Sequence, residues 1–131
     1  RFNARLHGWC AGPILREAAG VNDATIIRSV CTWPGLRLNS DTMKGGLGET
    51  PLHIAAAHGS LETMSALLEA GMDPDIEDNI KERPLQYAVL VGRSAVVQEV
   101  LARRADAWAE NCFAETPLQV ARQNPAAYLG V

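Results

Sequence analysis

The sequence predicts an all-α solenoid assembled from paired antiparallel helices, and three observations carry that prediction. The stretch Thr50-Pro51-Leu52-His53-Ile54-Ala55-Ala56 is echoed by Arg83-Pro84-Leu85-Gln86-Tyr87-Ala88 and by Thr116-Pro117-Leu118-Gln119-Val120-Ala121, so its proline recurs every 33 residues. Within the first stretch Leu52, Ala55 and Ala56 fall at i, i+3 and i+4, the apolar stripe of a helix. Gly59 and Gly92, again 33 apart, then divide each unit into two helices. A fixed period of this length marks stacked units that bury their apolar faces only against one another.

Residues 1–12 precede the repeats as an N-terminal arm that carries Phe2, Leu6 and Trp9. Such an arm is expected to fold back over the first unit or to clip onto another protein. The repeat domain occupies 13–131, in units of about 13–44, 45–77, 78–110 and a partial 111–131. In the degenerate first unit, Leu15 to Ala19 align with Leu52 to Ala56 at an offset of 37, and Ile27, Val30 and Cys31 match Met64, Leu67 and Leu68. The excess over 33 falls in the connection 32–49, rich in glycine at Gly45, Gly46 and Gly48. Terminal repeats are commonly atypical because one face meets water, and Glu17, Asp23 and Arg28 supply polar outer positions.

The second unit is the clearest. Thr50 is placed to cap a helix whose first turn holds Pro51, where a missing N–H costs nothing. Gly59 ends that helix, Ser60 can cap the next, and Leu61, Met64, Leu67 and Leu68 form its expected buried set. Gly71, able to take positive φ, closes the unit. In the third unit Leu85, Ala88 and Val89 replace Leu52, Ala55 and Ala56, and Val97, Val100 and Leu101 are expected on the core side. Arg103 and Arg104 lie in the last turn, where cations complement the helix dipole. In the fourth unit Pro125 takes the glycine register, and the second helix is mostly wanting. Apolar surface is expected there unless Tyr128 and Leu129 fold back, a longer chain continues, or a partner covers it.

The Thr-Pro-Leu-His-x-Ala-Ala wording resembles the ankyrin repeat, and the resemblance covers about 48–131, with a weaker unit before it. Asp73 and Asp106 fall where that family carries its Gly-Ala-Asp turn. The resemblance implies two short helices followed by a projecting β-turn finger, with partners meeting the finger tips and the inner helices beside them. Carried onto this chain, the tips are Gly46 to Glu49, Asn79 to Glu82 and Cys112 to Glu115. The neighbouring inner-helix positions are Ala57 and His58, Leu90 and Val91, and Gln123 and Asn124. Leu47, Ile80 and Phe113 then stand in one column, a candidate protein-contact strip widened by Leu90 and Val91 and helped by Phe2 and Trp9 of the arm. Glu49, Glu82 and Glu115 form a parallel acidic column, which favours a basic partner or stands solvated. The turn glycine is kept as Gly48 but replaced by Lys81 and Ala114, so those two turns are expected to be reshaped or strained.

Catalysis and cofactors find no support in the sequence. His53 sits where the family's imidazole bridges neighbouring turns, and Gln86 and Gln119 can do the same with an amide. His53 and His58 are five apart and splay on a helix, so no metal set forms. Cys31 and Cys112 read as core filler and surface thiol, and no P-loop, nucleophile-elbow or zinc-protease motif occurs. No metal, cofactor or enzymatic activity is therefore expected.

Of the 131 residues, 47% are hydrophobic and 21% charged, the balance of a folded domain rather than a disordered tail. The net charge of −3, with basic residues mostly scattered singly, argues against a nucleic-acid surface. No apolar run approaches the roughly 18–20 residues that cross a bilayer. Three cysteines, odd in number and far apart, point to a reducing compartment, such as the cytoplasm or the soluble face of an organelle. The chain opens on Arg1, as a processed product, a fragment or part of a longer polypeptide would. The expected role is non-catalytic protein binding, as an accessory or scaffolding subunit of a larger multiprotein assembly, organellar membrane assemblies among them. A reversible regulatory adaptor, or the ankyrin segment of a longer protein whose activity lies elsewhere, is the alternative.

Overall fold

The computed structural model describes residues 4–58 and 61–123, with side chains from residue 11 onward. Seven α-helices stand among them: α1 Ala4–Gly20, α2 Ala24–Cys31, α3 Pro51–His58, α4 Leu61–Glu69, α5 Pro84–Val91, α6 Ser94–Ala102 and α7 Pro117–Gln123. Each of α3, α5 and α7 begins at one of the recurrent prolines, whose fixed φ suits a first helical turn. The odd-numbered helices stack as an inner row, α1 on α3 on α5 on α7, and α2, α4 and α6 stack as an outer row. Each of the first three inner helices also packs on the outer helix that follows it. The core is one continuous seam through these rows, from Ala11 and Leu15 through Leu52, Met64 and Leu67 to Leu85, Val96 and Val100.

Alanines at the inner-row contacts let the helices approach closely. Ala18, Ala19, Ala55, Ala56 and Ala88 are all buried, as the aligned sequence pattern requires. The outer row shows two departures from the expected buried set. Leu61, at the first position of α4, is 44% exposed, whereas Met64, Leu67 and Leu68 are buried. In α6, Val96 and Val100 are buried and Val97 half-buried, but Leu101 is 41% exposed. Leu68, at the same register one unit earlier, lies in a helix covered by α6; among the described residues no outer helix stacks on α6 in turn. The sequence register was the same, but the neighbour that buries it was not.

The N-terminal boundary also differs from expectation. No break separates an arm from the first unit, because α1 runs unbroken from Ala4 across residue 12 to Gly20, with Pro13 inside it. Gly12 is therefore not a helix stop but a point of contact. A side chain there would run into the carbonyl oxygen of Thr42, in the short 3₁₀ turn Asp41–Met43. Arg16, one turn further along, donates to the Met43 carbonyl at 2.8 Å. The longer first connection thus folds down on α1, where Met43 is fully buried. Asp23 caps α2 by accepting from the Ile26 N–H at 3.2 Å, and Arg28 pairs with Glu62 at 3.5 Å. Gly59, Ser60, Pro125, Tyr128 and Leu129, given roles in the sequence reading, lie outside the described residues.

Candidate functional site

Three hairpin fingers project between the helix pairs, and each is closed by its own backbone. In the middle finger the Asp78 N–H donates to the Glu82 carbonyl at 2.9 Å and the Lys81 N–H to the Asp78 carbonyl at 3.1 Å. Asn111 and Ala114 repeat both bonds in the third finger, and Gly45 and Gly48 in the first. The side chain at the finger's root satisfies the tip. Asp78 Oδ1 accepts from the Ile80 and Glu82 N–H groups, and Asn111 Oδ1 accepts from those of Phe113 and Glu115. At this register the first finger has Gly45, and Glu49 fills the gap by accepting from the Leu47 N–H at 2.9 Å. One turn architecture is thus built from two different side-chain solutions.

The fingers are not reshaped where the turn glycine is lost. Lys81 and Ala114 hold φ of 61° and 59°, close to the 78° of Gly48, so they keep the left-handed conformation and carry its strain. Neighbouring fingers are joined by backbone hydrogen bonds, from the Asn79 N–H to the Leu47 carbonyl at 3.1 Å and from the Cys112 N–H to the Ile80 carbonyl at 2.8 Å. Leu47 and Ile80 thus belong to the very peptide groups that tie each finger to the next.

The helices fix the fingers from behind. Fully buried His53 accepts from the Thr50 N–H through Nδ1 at 3.1 Å, and its Nε2 meets the Glu82 carbonyl of the next finger at 2.8 Å. That arrangement assigns the neutral Nε2–H tautomer, and burial holds the imidazole below its ordinary pKa. Gln86 repeats the pattern, accepting from the Arg83 N–H at 2.7 Å and donating to the Glu115 carbonyl at 3.5 Å. Gln119 accepts from the Thr116 N–H at 2.8 Å. Arg83, which stands where the second and fourth units have Thr50 and Thr116, lies among Asp75, Glu77 and Asp106 at 3.6, 3.6 and 3.9 Å.

The expected contact residues take the following places. Leu47, Ile80 and Phe113 sit at equivalent tip positions and are 76%, 40% and 67% exposed. Leu90 is exposed and Val91 half-buried at the end of α5. The Tyr87 hydroxyl reaches the root of the middle finger, and Leu90 follows Tyr87 by three residues, so both occupy the finger-facing side of α5. Phe2 lies outside the described residues, as does the side chain of Trp9 within α1. One exposed aromatic escaped the sequence reading: Trp108, 76% exposed in the turn after α6. Extending the 33-residue offset reaches it from Asp75, whose carboxylate contacts the following unit through the Asp106 N–H at 2.9 Å. Cys31 is half-buried, which raises its thiol pKa, and Cys112 is exposed. Among the described residues, no His, Cys, Asp and Glu side chains group as a metal site would require, and no helix is long and apolar enough to cross a membrane.

A row of hydrogen-bonded tips carried on stacked helix pairs defines a repeat-built binding module. The chain belongs to the ankyrin-repeat family, whose pattern matches residues 15–111 in three copies. Such repeats are protein–protein interaction modules and are not, as a rule, catalysts. The chain is similar to neurogenic locus notch homolog protein 1 of Mus musculus, 36% identical over 83 residues, 63% of this chain and 3% of that protein. It is also similar to the human ankyrin repeat and SOCS box protein 5, 35% identical over 71 residues, 54% of this chain and 21% of that protein. Against protein phosphatase 1 regulatory subunit 12A of Mus musculus it is 27% identical over 118 residues, 90% of this chain and 12% of that protein. The chain thus spans only a small part of the length of these relatives.

Proposed function

We propose that this chain holds another protein against its finger tips, as an accessory or scaffolding element of a larger assembly. The observation that carries this reading is the alignment of Leu47, Ile80 and Phe113, all solvent-exposed, on three fingers locked together by backbone hydrogen bonds. An isolated exposed apolar side chain needs no explanation, but a fixed row of them on a rigid support does. Because the fingers are pinned by Asp78, Asn111, His53 and Gln86, little order remains to be gained on binding. Leu90 extends the strip from the inner row. The similarity to short segments of much longer proteins favours a second reading alongside it, in which the chain is the docking segment of a protein whose activity lies elsewhere.

The experiment is a photo-crosslinking amino acid placed at position 80 or, as control, at Glu62 on the outer row, in the protein expressed in its source cells. A defined crosslinked partner at position 80 and none at 62 is expected. The Leu47→Ser, Ile80→Ser, Phe113→Ser variant should lose that partner with helicity unchanged by circular dichroism. Retention of the partner by the triple variant would remove the strip from consideration.

A further inference from the structure

The apolar column does not stand alone on the fingers. Two residues after each tip residue comes a glutamate, Glu49 after Leu47, Glu82 after Ile80 and Glu115 after Phe113. None of the three forms an ion pair with a cation among the described residues. The cations nearby are mostly engaged elsewhere, although Arg16, which donates to the Met43 carbonyl, stands close to the Glu49 carboxylate. Lys44 pairs with Asp41 at 3.5 Å, and Arg83 is enclosed by its three carboxylates. Lys81 is exposed between Ile80 and Glu82. The tips are therefore apolar beside a column of three glutamates that enter no ion pair among the described residues, Lys81 being the one exposed cation within the middle finger.

Resting on the docking strip proposed above, we infer that its occupant is an extended segment of another protein with apolar side chains spaced along it and Lys or Arg between them. Charge complementarity gives the sign. Apolar contact with the tips brings the segment's cations to the glutamate column, where like charge would be repelled. Burial first, then Asp78, with Glu115 adding to it, raise the Glu82 carboxyl pKa although Asn111 lowers it, so the face gains by receiving a cation there. Geometry gives the spacing. Each finger is a turn with two legs, hydrogen-bonded to the next through its backbone, and hydrogen-bonded extended backbones lie about 4.8 Å apart, so tips recur at about 10 Å. A segment in the extended polyproline-II conformation advances about 3.1 Å per residue with three residues per turn, and every third side chain then meets a tip.

The probe is a synthetic peptide of repeating Leu-Lys-Lys triplets long enough to cross three fingers, titrated by fluorescence anisotropy against the full chain. Its Leu-Glu-Glu and Ser-Lys-Lys counterparts are run beside it. Binding of the Leu-Lys-Lys peptide alone is expected. Each charge change should shift its Kd by about two- to fivefold, weaker for Glu82→Gln and tighter for Lys81→Gly, a substitution that also suits the left-handed backbone at that position. No binding by Leu-Lys-Lys, equal binding by Leu-Glu-Glu, or indifference to both substitutions would overturn the basic occupant. If both leucine peptides bind equally and the triple-serine variant loses both, the docking strip stands and only the charge assignment fails. If the leucine peptides bind and the triple-serine change leaves that binding intact, the strip itself is misplaced.

Discussion

The Tyr87 hydroxyl donates to Asp78 Oδ2 at 2.6 Å, tying the inner helix α5 to the root of the finger that carries Ile80. Asp78 is only 8% exposed, and its other oxygen already serves the Ile80 and Glu82 N–H groups. Burial, reinforced by the bond to Asp78, raises the phenol pKa well above its ordinary value, so it remains a donor throughout the physiological range. Removing the donor leaves a buried carboxylate oxygen short of a partner. Tyr87→Phe, which keeps the ring in its edge contact with His53, is expected to cost about 1.5–3 kcal/mol in urea unfolding. An unchanged midpoint would show that water replaces the phenol without loss.

His53 makes the fold sensitive to acid. Its Nδ1 is already an acceptor for the Thr50 N–H, so protonation must break a buried bond as well as bury a charge. The folded-state pKa is lowered, chiefly by burial. The unfolded chain therefore takes the proton first, and stability that is complete above the ordinary value of about 6.5 falls as the pH drops through it toward the folded value. His53→Gln copies the arrangement of Gln86 without a titrating group. Urea midpoints between pH 8 and pH 5 should slope downward for the natural chain and flatten for the variant. Glu82, whose pKa is raised, acts in the opposite sense, and its loss of stability with rising pH starts from the carboxylate range.

The left-handed turns carry a removable strain. Lys81 and Ala114 hold a conformation that costs an L-residue about 1–2 kcal/mol, part of which glycine returns through its own chain entropy. Lys81→Gly and Ala114→Gly should each raise stability by up to about 1 kcal/mol, read as a higher Tm. Gly48→Ala should lower it by more than that. Besides the strained φ, its Cβ would lie 2.6 Å from the backbone nitrogen of Asn79 on the next finger. A gain on placing glycine at 81 and 114 and a loss on removing it at 48 together test the three turns as equivalent members of a stacked series.

Repetition made most of this architecture legible. Prolines 51, 84 and 117 begin α3, α5 and α7, because a period and a helix-start signal survive sequence divergence. The tips Leu47, Ile80 and Phe113 followed from the same count and from the ankyrin likeness. What the count could not give was contact outside the period. Tyr87 and Asp78 meet across a turn, and their registers in the second unit hold Ile54 and Gly45, which have no comparable groups. Arg83 occupies a threonine register and reaches Asp75, Glu77 and Asp106 because only its length allows it. Gly12 beside Pro13 read as a boundary, when the glycine serves a close approach within a continuous helix.

That approach can be probed directly. A Cβ at position 12 would press on the Thr42 carbonyl and come within 3.1 Å of the Met43 Cα, both backbone atoms with little freedom to yield. Gly12→Ala gains helix propensity worth about 1 kcal/mol, yet overpacking of this kind costs about 1–3 kcal/mol. Net destabilisation is expected, together with faster amide exchange in the 3₁₀ turn Asp41–Met43 as it is pushed from α1. Stabilisation instead would mean that the turn moves aside freely, and that α1 does not depend on it.

Leu68 and Leu101 share a register but not an environment, and that difference separates sequence position from physical burial. Leu68 is 7% exposed, in a helix packed against α6, whereas Leu101 is 41% exposed at the end of α6. Truncating a buried leucine loses its transfer free energy and leaves a cavity, together about 2–5 kcal/mol, whereas a half-exposed one forfeits little of either. Leu68→Ala should therefore lower the urea midpoint sharply and Leu101→Ala by less than about 1 kcal/mol. Equal losses would mean that Leu101 is covered in solution by a neighbour stacked on α6, as Leu68 is by α6 itself. That neighbour would then be sought by repeating both measurements over a range of protein concentrations, since a second copy stacks by mass action and a segment of the same chain does not.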